Sequence, residues 1–454
     1  LATIPNTDAR WETTVQTSAG LDLTMLHNTL EVSVDYYNKE TKDLVDYLTI
    51  PPQMGVENAP LGNMGHVINK GWEFSVSYRN SAAQGKFNYN VWGTFSTNKG
   101  YVEDYGPQPI VMHKYPTFNG IQLFASGAGH PWYSYYIYRT DGIFRSQDEI
   151  DRHISKDPDT GEVKMLQPDA KVGDLRFIDT NGDGVINDND RVLSRSYTPK
   201  QTYSFGGSLD WKGFDFSFMF QGVAGNYVYN GTKQLGMNGR QDLGNLTTDV
   251  YNTWDFKPMT SKYPRLGLSD DMNGNYLKVS DIFLEKGDYL RLKNITLGYT
   301  LPKHISRHIG MEKGSVRVYL SIDNVATITG YSGTDPEVGN YGLDSGIYPT
   351  SRSFNFGQLL TTTTMKKTIF SLCLAISAFC LSGCSDFLDR EPYGKDATWK
   401  TKEDVDQAIY ALYHFVSPYW SEEICGRGHM WLECASVNIL IGRARPSVDE
   451  IREF

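Results

Sequence analysis

The first 360 residues predict a mainly β fold, a partial transmembrane antiparallel β-barrel, and the residues from Met365 onward predict a signal peptide followed by a short α-helical segment. Three observations carry this reading. Apolar and polar residues alternate with period two through segments about ten residues long. The connections between those segments are alternately short and long, as turns on one side of a membrane and loops on the other would be. A secretory signal then stands in the interior of the chain, where residue usage also changes.

Composition sets the outer bounds. The chain has 454 residues, with 43 basic against 53 acidic side chains, a net charge of −10. No Lys/Arg-rich block stands out, which argues against nucleic acid as a partner. Tyr and Gly are abundant, yet mean hydropathy is negative, which excludes a bundle of apolar spanning helices. All five cysteines (Cys373, Cys380, Cys384, Cys425 and Cys434) lie beyond residue 372, so usage shifts near residue 365.

The strands can be taken in order. Eleven segments qualify: 14–23, 30–38, 72–79, 86–97, 119–124, 132–139, 203–210, 214–221, 289–299, 315–325 and 352–359. In the third, Trp72, Phe74, Val76 and Tyr78 alternate with Glu73, Ser75, Ser77 and Arg79. In the eighth, Phe214, Phe216, Phe218 and Phe220 share one face, with Asp215 and Ser217 on the other. Val316, Val318, Leu320 and Ile322 do the same against Arg317, Tyr319 and Ser321. The segment Tyr289–Tyr299 alternates more loosely and shifts phase. An apolar outer face and a polar lumen account for the pattern. A soluble β-sandwich also alternates, but it has no need of alternating short and long connections.

After Met365-Lys366-Lys367 an apolar run of about 13 residues leads to Leu381-Ser382-Gly383-Cys384. A basic start, an apolar stretch too short to span a bilayer and small residues before Cys have the order of a lipoprotein signal, with the Cys384 thiol as the site of acylation. A buried core helix with a chance cysteine is the plainer alternative. Farther on, Thr401 caps a helix through about Phe415, with Ala408, Ile409, Leu412 and Phe415 on its apolar face. Cys425 and Cys434 read as small hydrophobes or as a disulfide pair.

Several stretches resemble the SusC-like TonB-dependent transporters of Bacteroidetes: Asp8-Ala9-Arg10-Trp11-Glu12-Thr13-Thr14, Val32-Ser33-Val34-Asp35-Tyr36-Tyr37, Asn69-Lys70-Gly71-Trp72-Glu73 and Tyr289–Tyr299. Beyond Met365, Cys384-Ser385-Asp386-Phe387-Leu388-Asp389 and Met430-Trp431-Leu432-Glu433-Cys434-Ala435-Ser436 resemble the start of a SusD-like lipoprotein. The resemblance implies an outer-membrane barrel of about 22 strands, of which eleven would be half. It also implies a plug inside the barrel, energy coupling through TonB, uptake of oligosaccharides or peptides, and a lipoprotein lid. The domains expected are therefore 1–360 as the C-terminal half of a barrel, 361–364 as a junction, 365–383 as signal peptide and 384–454 as the start of the lid protein. Because the chain opens on Leu1 and lacks the plug, it is expected to begin inside a longer protein and to be incompetent for transport alone. A barrel of this kind usually ends on an aromatic residue, as Ser353-Phe354-Asn355-Phe356-Gly357 would, so Gln358 to Thr364 reads as translated spacer between two genes.

One loop has metal-ligand spacing. Asp179, Asn181, Asp183, Val185 (through its carbonyl), Asn187 and Asp190 occupy positions one, three, five, seven, nine and twelve of an EF-hand-like loop, with Gly184 at six. Ca²⁺ is the candidate ion, held weakly, because Asp190 is shorter than the usual Glu and the flanks are not helices. The alternative is an Asn/Asp/Gly-rich turn without metal. Trp132, Tyr133, Tyr135, Tyr136 and Tyr138 could stack on sugar rings, but are assigned first to the aromatic belt of the membrane interface. His27, His66, His113 and His130 are scattered without metal spacing. No nucleophile elbow, phosphate loop or Cys-x-x-Cys motif occurs, so neither an enzyme nor an organic cofactor is expected. The functional expectation is thus TonB-dependent uptake in contact with outer-membrane lipids. A calcium-dependent surface-binding protein and, more remotely, a barrel enzyme are the alternatives.

Overall fold

The protein is described from a computed structural model covering residues 6–47, 60–80, 87–106, 109–156, 160–239, 245–267, 272–308 and 314–361. The signal segment 365–383, Cys384, the 401–415 helix and the rest of the expected lipoprotein lie outside the described residues. The described residues all belong to one compact unit, and the description below is of that unit.

Its frame is a nine-stranded antiparallel sheet in which each strand pairs with the next in the chain. The strands are β1 (Thr13–Met25), β2 (Leu30–Lys42), β3 (His66–Arg79), β4 (Asn88–Asp104), β5 (Gln201–Trp211), β6 (Phe214–Ala224), β7 (Tyr289–Thr300), β8 (Ser315–Thr329) and β9 (Ser353–Thr361). Register carries one apolar face across the sheet. Leu21 pairs with Val34, Val34 with Phe74 and Phe74 with Phe95. On the far side Phe216 pairs with Leu297, Leu297 with Leu320 and Leu320 with Phe356. Many of these side chains are open to the surroundings, among them Phe74 (41%) and Phe356 (69%), which suits a face that meets lipid. The other face is polar: Thr94 bonds Ser204 at 2.6 Å, Asn294 Nδ2 donates to Ser321 at 2.9 Å, and Arg317 Nε donates to Asp215 at 2.9 Å.

Local chemistry explains the turns and one irregularity. Trp211 and Phe214 flank Lys212-Gly213, both at positive φ (50° and 91°), as a two-residue type I′ hairpin requires. A Cβ on Gly213 would lie 2.8 Å from the Thr300 carbonyl oxygen, so glycine is needed there for space as well. In β7, Leu292 pairs with Phe220 and Asn294 with Met219, so Lys293 is an extra residue in a β-bulge. That bulge is the physical cause of the phase shift in the sequence: Leu290 and Leu292 share the apolar face before it, Ile295 and Leu297 after it.

The connections alternate as expected. Those around 26–29, 80–87, 212–213 and 301–314 are short; those at 43–65, 105–200, 225–288 and 330–352 are long. Two of the eleven expected strands are not in the sheet, however. Segment 119–124 contains only the short strand Ile121–Gln122, which pairs with Thr117–Phe118 just before it, and the start of Phe124–Gly127; 132–139 contains Ser134–Tyr138. Both sit inside the 105–200 connection. The alternation survives because removing a neighbouring pair of strands merges two long loops and one short one into a single long loop. At the other end, β9 continues past Gly357, with Ser315 opposite Thr361, so the pairing runs on through residues read as spacer.

The long connections fold into a cap, and the core of the unit lies there. A four-stranded sheet orders Arg191–Ser196, Ser134–Tyr138, Phe124–Gly127 and Ile110–Met112. Phe124 and Tyr135 from the second long connection, Tyr229, Tyr276 and Phe283 from the third, and Leu343 from the fourth are buried in one cluster. The sheet cannot supply such a core, since one of its faces is apolar toward lipid and the other polar toward the lumen. In the irregular part of the cap, side chains satisfy the buried backbone: Gln167 Nε2 donates to the Leu175 carbonyl at 2.9 Å, and its Oε1 accepts from Phe177 N–H at 2.8 Å.

Candidate ligand-contacting site

The aromatic cluster that the sequence assigns to a membrane belt is in the cap instead. Tyr135 and Tyr138 are buried at 0% and 5% exposure, and Trp132 packs on Tyr105 at 5.6 Å between ring centroids. A rim of aromatic side chains on the sheet is carried by other residues, such as Tyr36 and Trp72, whose rings are 5.0 Å apart. The correction has a simple cause: period two identifies a strand, but not the sheet it joins.

Tyr133 is the centre of a ring column. His113 stacks on one of its faces at 3.7 Å with an interplanar angle of 5°, and Tyr341 on the other at 4.4 Å and 10°. Tyr197 meets Tyr341 edge-on at 5.4 Å. Tyr341 is the open end of the column, with 41% of its surface exposed. The three rings come from two long connections, and sequence spacing does not bring them together. His113 is visible in the sequence only as a scattered histidine, and Tyr341 and Tyr197 not as site residues at all.

Both tyrosines sit on a strained backbone that their surroundings hold in place. Tyr133 and Tyr341 have φ of 55° and 56°, a conformation that costs a bulky L-residue roughly 1–2 kcal/mol. Tyr341 occupies the third position of a tight turn, with Asn340 also at positive φ and Gly342 N–H closing on the Gly339 carbonyl at 2.9 Å. From beneath, the buried Tyr135 hydroxyl donates toward the Gly342 carbonyl at 3.0 Å and the Tyr227 carbonyl at 2.9 Å, tying the turn to the cap core. Ser126, fully buried, accepts from Tyr133 N–H at 3.1 Å and bonds His113 Nε2 at 2.7 Å. Burial pushes the His113 pKa down to about 4, against a weak opposing pull from Asp46, so the imidazole is neutral at neutral pH. Burial likewise raises Tyr133. The column is thus an uncharged, pre-ordered set of rings whose outermost member, Tyr341, is 41% exposed, suited to a flat apolar ligand face.

The loop 179–190 lies in the same long connection. Its carboxylates face backbone amides: Asp179 accepts from Gly182 N–H at 2.7 Å and Gly184 N–H at 2.9 Å, and Asp183 from Val185 N–H at 2.9 Å. Asn181 Nδ2 donates to Asp183 at 2.9 Å, which helps hold the Asp183 pKa below its usual value. Asn187 caps the turn Asp188–Asp190, and Asp190, fully buried, accepts from Thr180 N–H and Asn187 N–H, both at 2.8 Å. The donor set is all oxygen, as Ca²⁺ prefers. Among the described residues no three His, Cys, Asp or Glu side chains are grouped closely enough to hold a metal ion. His66 is engaged by carboxylates, with Nδ1 at 2.7 Å from Glu103.

Comparison with known proteins places the architecture. The chain is 31% identical over 385 residues to TonB-dependent receptor P3 of Formosa agariphila, a match covering 79% of this chain and 35% of that protein. It is 25% identical over 359 residues to TonB-dependent receptor SusC of Bacteroides thetaiotaomicron, covering 78% of this chain and 32% of SusC. Among solved structures it is similar to the RagAB peptide transporter, with a TM-score of 0.59 and 24% identity over 78% of this chain and 36% of that one. The chain therefore spans about a third of the length of the relatives it matches. Residues 2–325 match the family described as TonB dependent receptor-like, beta-barrel. The chain belongs to that TonB-dependent receptor β-barrel family.

Proposed function

We propose that the chain forms part of an outer-membrane importer for an oligosaccharide or a peptide, which acts with a SusD-like surface lipoprotein and draws energy through TonB. The observation that carries this is the nine-stranded wall with one lipid-suited and one polar face, closed on its long-loop side by a cap bearing the Tyr341 ring column. Relatives named SusC and RagAB support the importer class, and the peptide in the RagAB name belongs to that protein. A non-enzymatic role agrees with the absence of a nucleophile motif in the sequence. Fractionation of cells expressing the full chain, followed by tyrosine-fluorescence titration with neutral oligosaccharides and with short peptides, tests the reading. Recovery in the outer-membrane fraction with saturable quenching by one class is expected. A soluble chain, or one blind to both classes, overturns it.

The expected lipoprotein start belongs to the same proposal. The ordered signal before Cys384 supports it, and radiolabelled palmitate should label the chain and fail to label Cys384→Ser.

A second reading concerns the 179–190 loop, which we propose as a weak Ca²⁺ site on the basis of its all-oxygen donor spacing. Calorimetry of the full chain should show heat at millimolar Ca²⁺ that Asp183→Ala abolishes; no heat at that concentration counts against it.

A further inference from the structure

Lys70 and Lys99 stand directly opposite each other in the β3–β4 ladder. Like charges in that position repel and destabilise an antiparallel pair unless something of opposite sign lies between them. Both ammonium groups lean on one ring, with Lys70 Nζ 5.9 Å and Lys99 Nζ 5.7 Å from the Tyr101 centroid. Continuing from Lys99, a groove of about 480 Å³ is lined by Lys99, Tyr101, Arg195, Lys200 and Tyr227 among others, and by no Asp or Glu. Arg195 lies over the Tyr227 ring at 5.3 Å. Among the described residues none of these four cations forms an ion pair. The nearest carboxylates along the strands are already engaged, Glu40 with Lys42 and Asn38, and Glu103 with His66. In a chain of net charge −10, three cations around one groove, with Lys70 joining Lys99 over the Tyr101 ring, mark a place that selects an anion.

Position indicates which anion. The unbroken register puts Lys70 and Lys99 on the apolar face of the wall, one step beyond Trp72 and its partner Thr97 toward the long connections. Along β2, β3 and β4 the exposed apolar row stops at Tyr36, Trp72 and Phe95, and Ile68, the next residue on that face beyond Lys70, is buried. Two residues along a strand is about 7 Å, or about 5 Å along the membrane normal at the usual tilt of a barrel strand, which carries the pair from the edge of the hydrocarbon into the headgroup layer. We propose that Lys70, Lys99, Arg195 and Lys200 form a binding site for the phosphate of a membrane-lipid headgroup on the long-loop side of the membrane, with the Tyr101 and Tyr227 rings backing the cations.

Native mass spectrometry of the full chain in non-ionic detergent tests this with phosphatidic acid and phosphatidylcholine as probes. Phosphatidic acid should be retained in preference. Lys70→Gln with Lys99→Gln should weaken that retention about thirtyfold, since each basic group near a phosphate surface contributes comparably. Lys70→Arg with Lys99→Arg should keep it. Arg195→Gln with Lys200→Gln, both exposed side chains, gives an independent reading of the same loss should the first pair fail to fold. Equal retention of the two lipids, or unchanged retention in the folded Gln variants, overturns the proposal. So does full displacement by inorganic phosphate at the lipid's own concentration, which would make the groove a site for a free anion. Ligand uptake by the importer can fail independently of any of these results.

Discussion

Tyr133 and Tyr341 stack face to face at 4.4 Å, and each reaches that position on a left-handed backbone. A strained, buried column with one open end is poor economy for packing alone, and it motivates the first prediction. Tyr341→Asn tolerates positive φ better and removes the ring. The melting temperature of the full chain should stay level or rise slightly, while affinity for the preferred oligosaccharide or peptide falls about tenfold, the scale of one aromatic stack. Tyr341→Phe should bind nearly as the parent does. Equal affinity in the Asn variant would remove Tyr341 from the site.

Gly342 tests the turn beneath it. At φ of 80°, an added Cβ would lie 2.4 Å from the Tyr135 hydroxyl and 2.5 Å from Tyr197 Cβ. Gly342→Ala should therefore cost about 2–4 kcal/mol, through both backbone strain and overpacking. Limited proteolysis should cut the cap of this variant faster than the parent's.

His113 makes the cap sensitive to acid. Its folded pKa, about 4, lies below the ordinary 6.5, so the unfolded chain binds the proton more readily. The stabilisation is fully present above pH 6.5 and is lost as pH falls toward 4, on the order of 3 kcal/mol. Thermal melts across that window should show the slope. His113→Phe, which keeps a ring on Tyr133, should flatten it.

The two faces of the wall predict opposite responses to the same charge. Phe74→Arg, on the apolar face, should cost about 2–4 kcal/mol if it lies near the bilayer midplane, whereas Ser75→Arg, one residue on and facing the lumen, should cost far less. Resistance of the membrane-inserted chain to urea unfolding measures the difference; equal effects would refute the assignment of the faces.

How much of this was legible beforehand depends on the range of the forces involved. The alternation of Trp72, Phe74, Val76 and Tyr78 with polar neighbours is a property of a pleated strand between lipid and water, and it reads directly from neighbouring residues. Even the bulge at Lys293 was visible, as a change of phase. By contrast, 119–124 and 132–139 resemble the wall strands locally, yet they pair within the cap.

By itself, then, the sequence determined the two-faced strands, their order and the rhythm of short and long connections, because these follow from periodicity and turn chemistry over a few residues. Only the tertiary structure decided which strands join the wall, which tyrosines meet, and that Lys70 faces Lys99. Those outcomes depend on pairing and burial between segments far apart in the chain: Tyr135 reaches Gly342 through a core to which three long connections contribute, and no local pattern records that meeting.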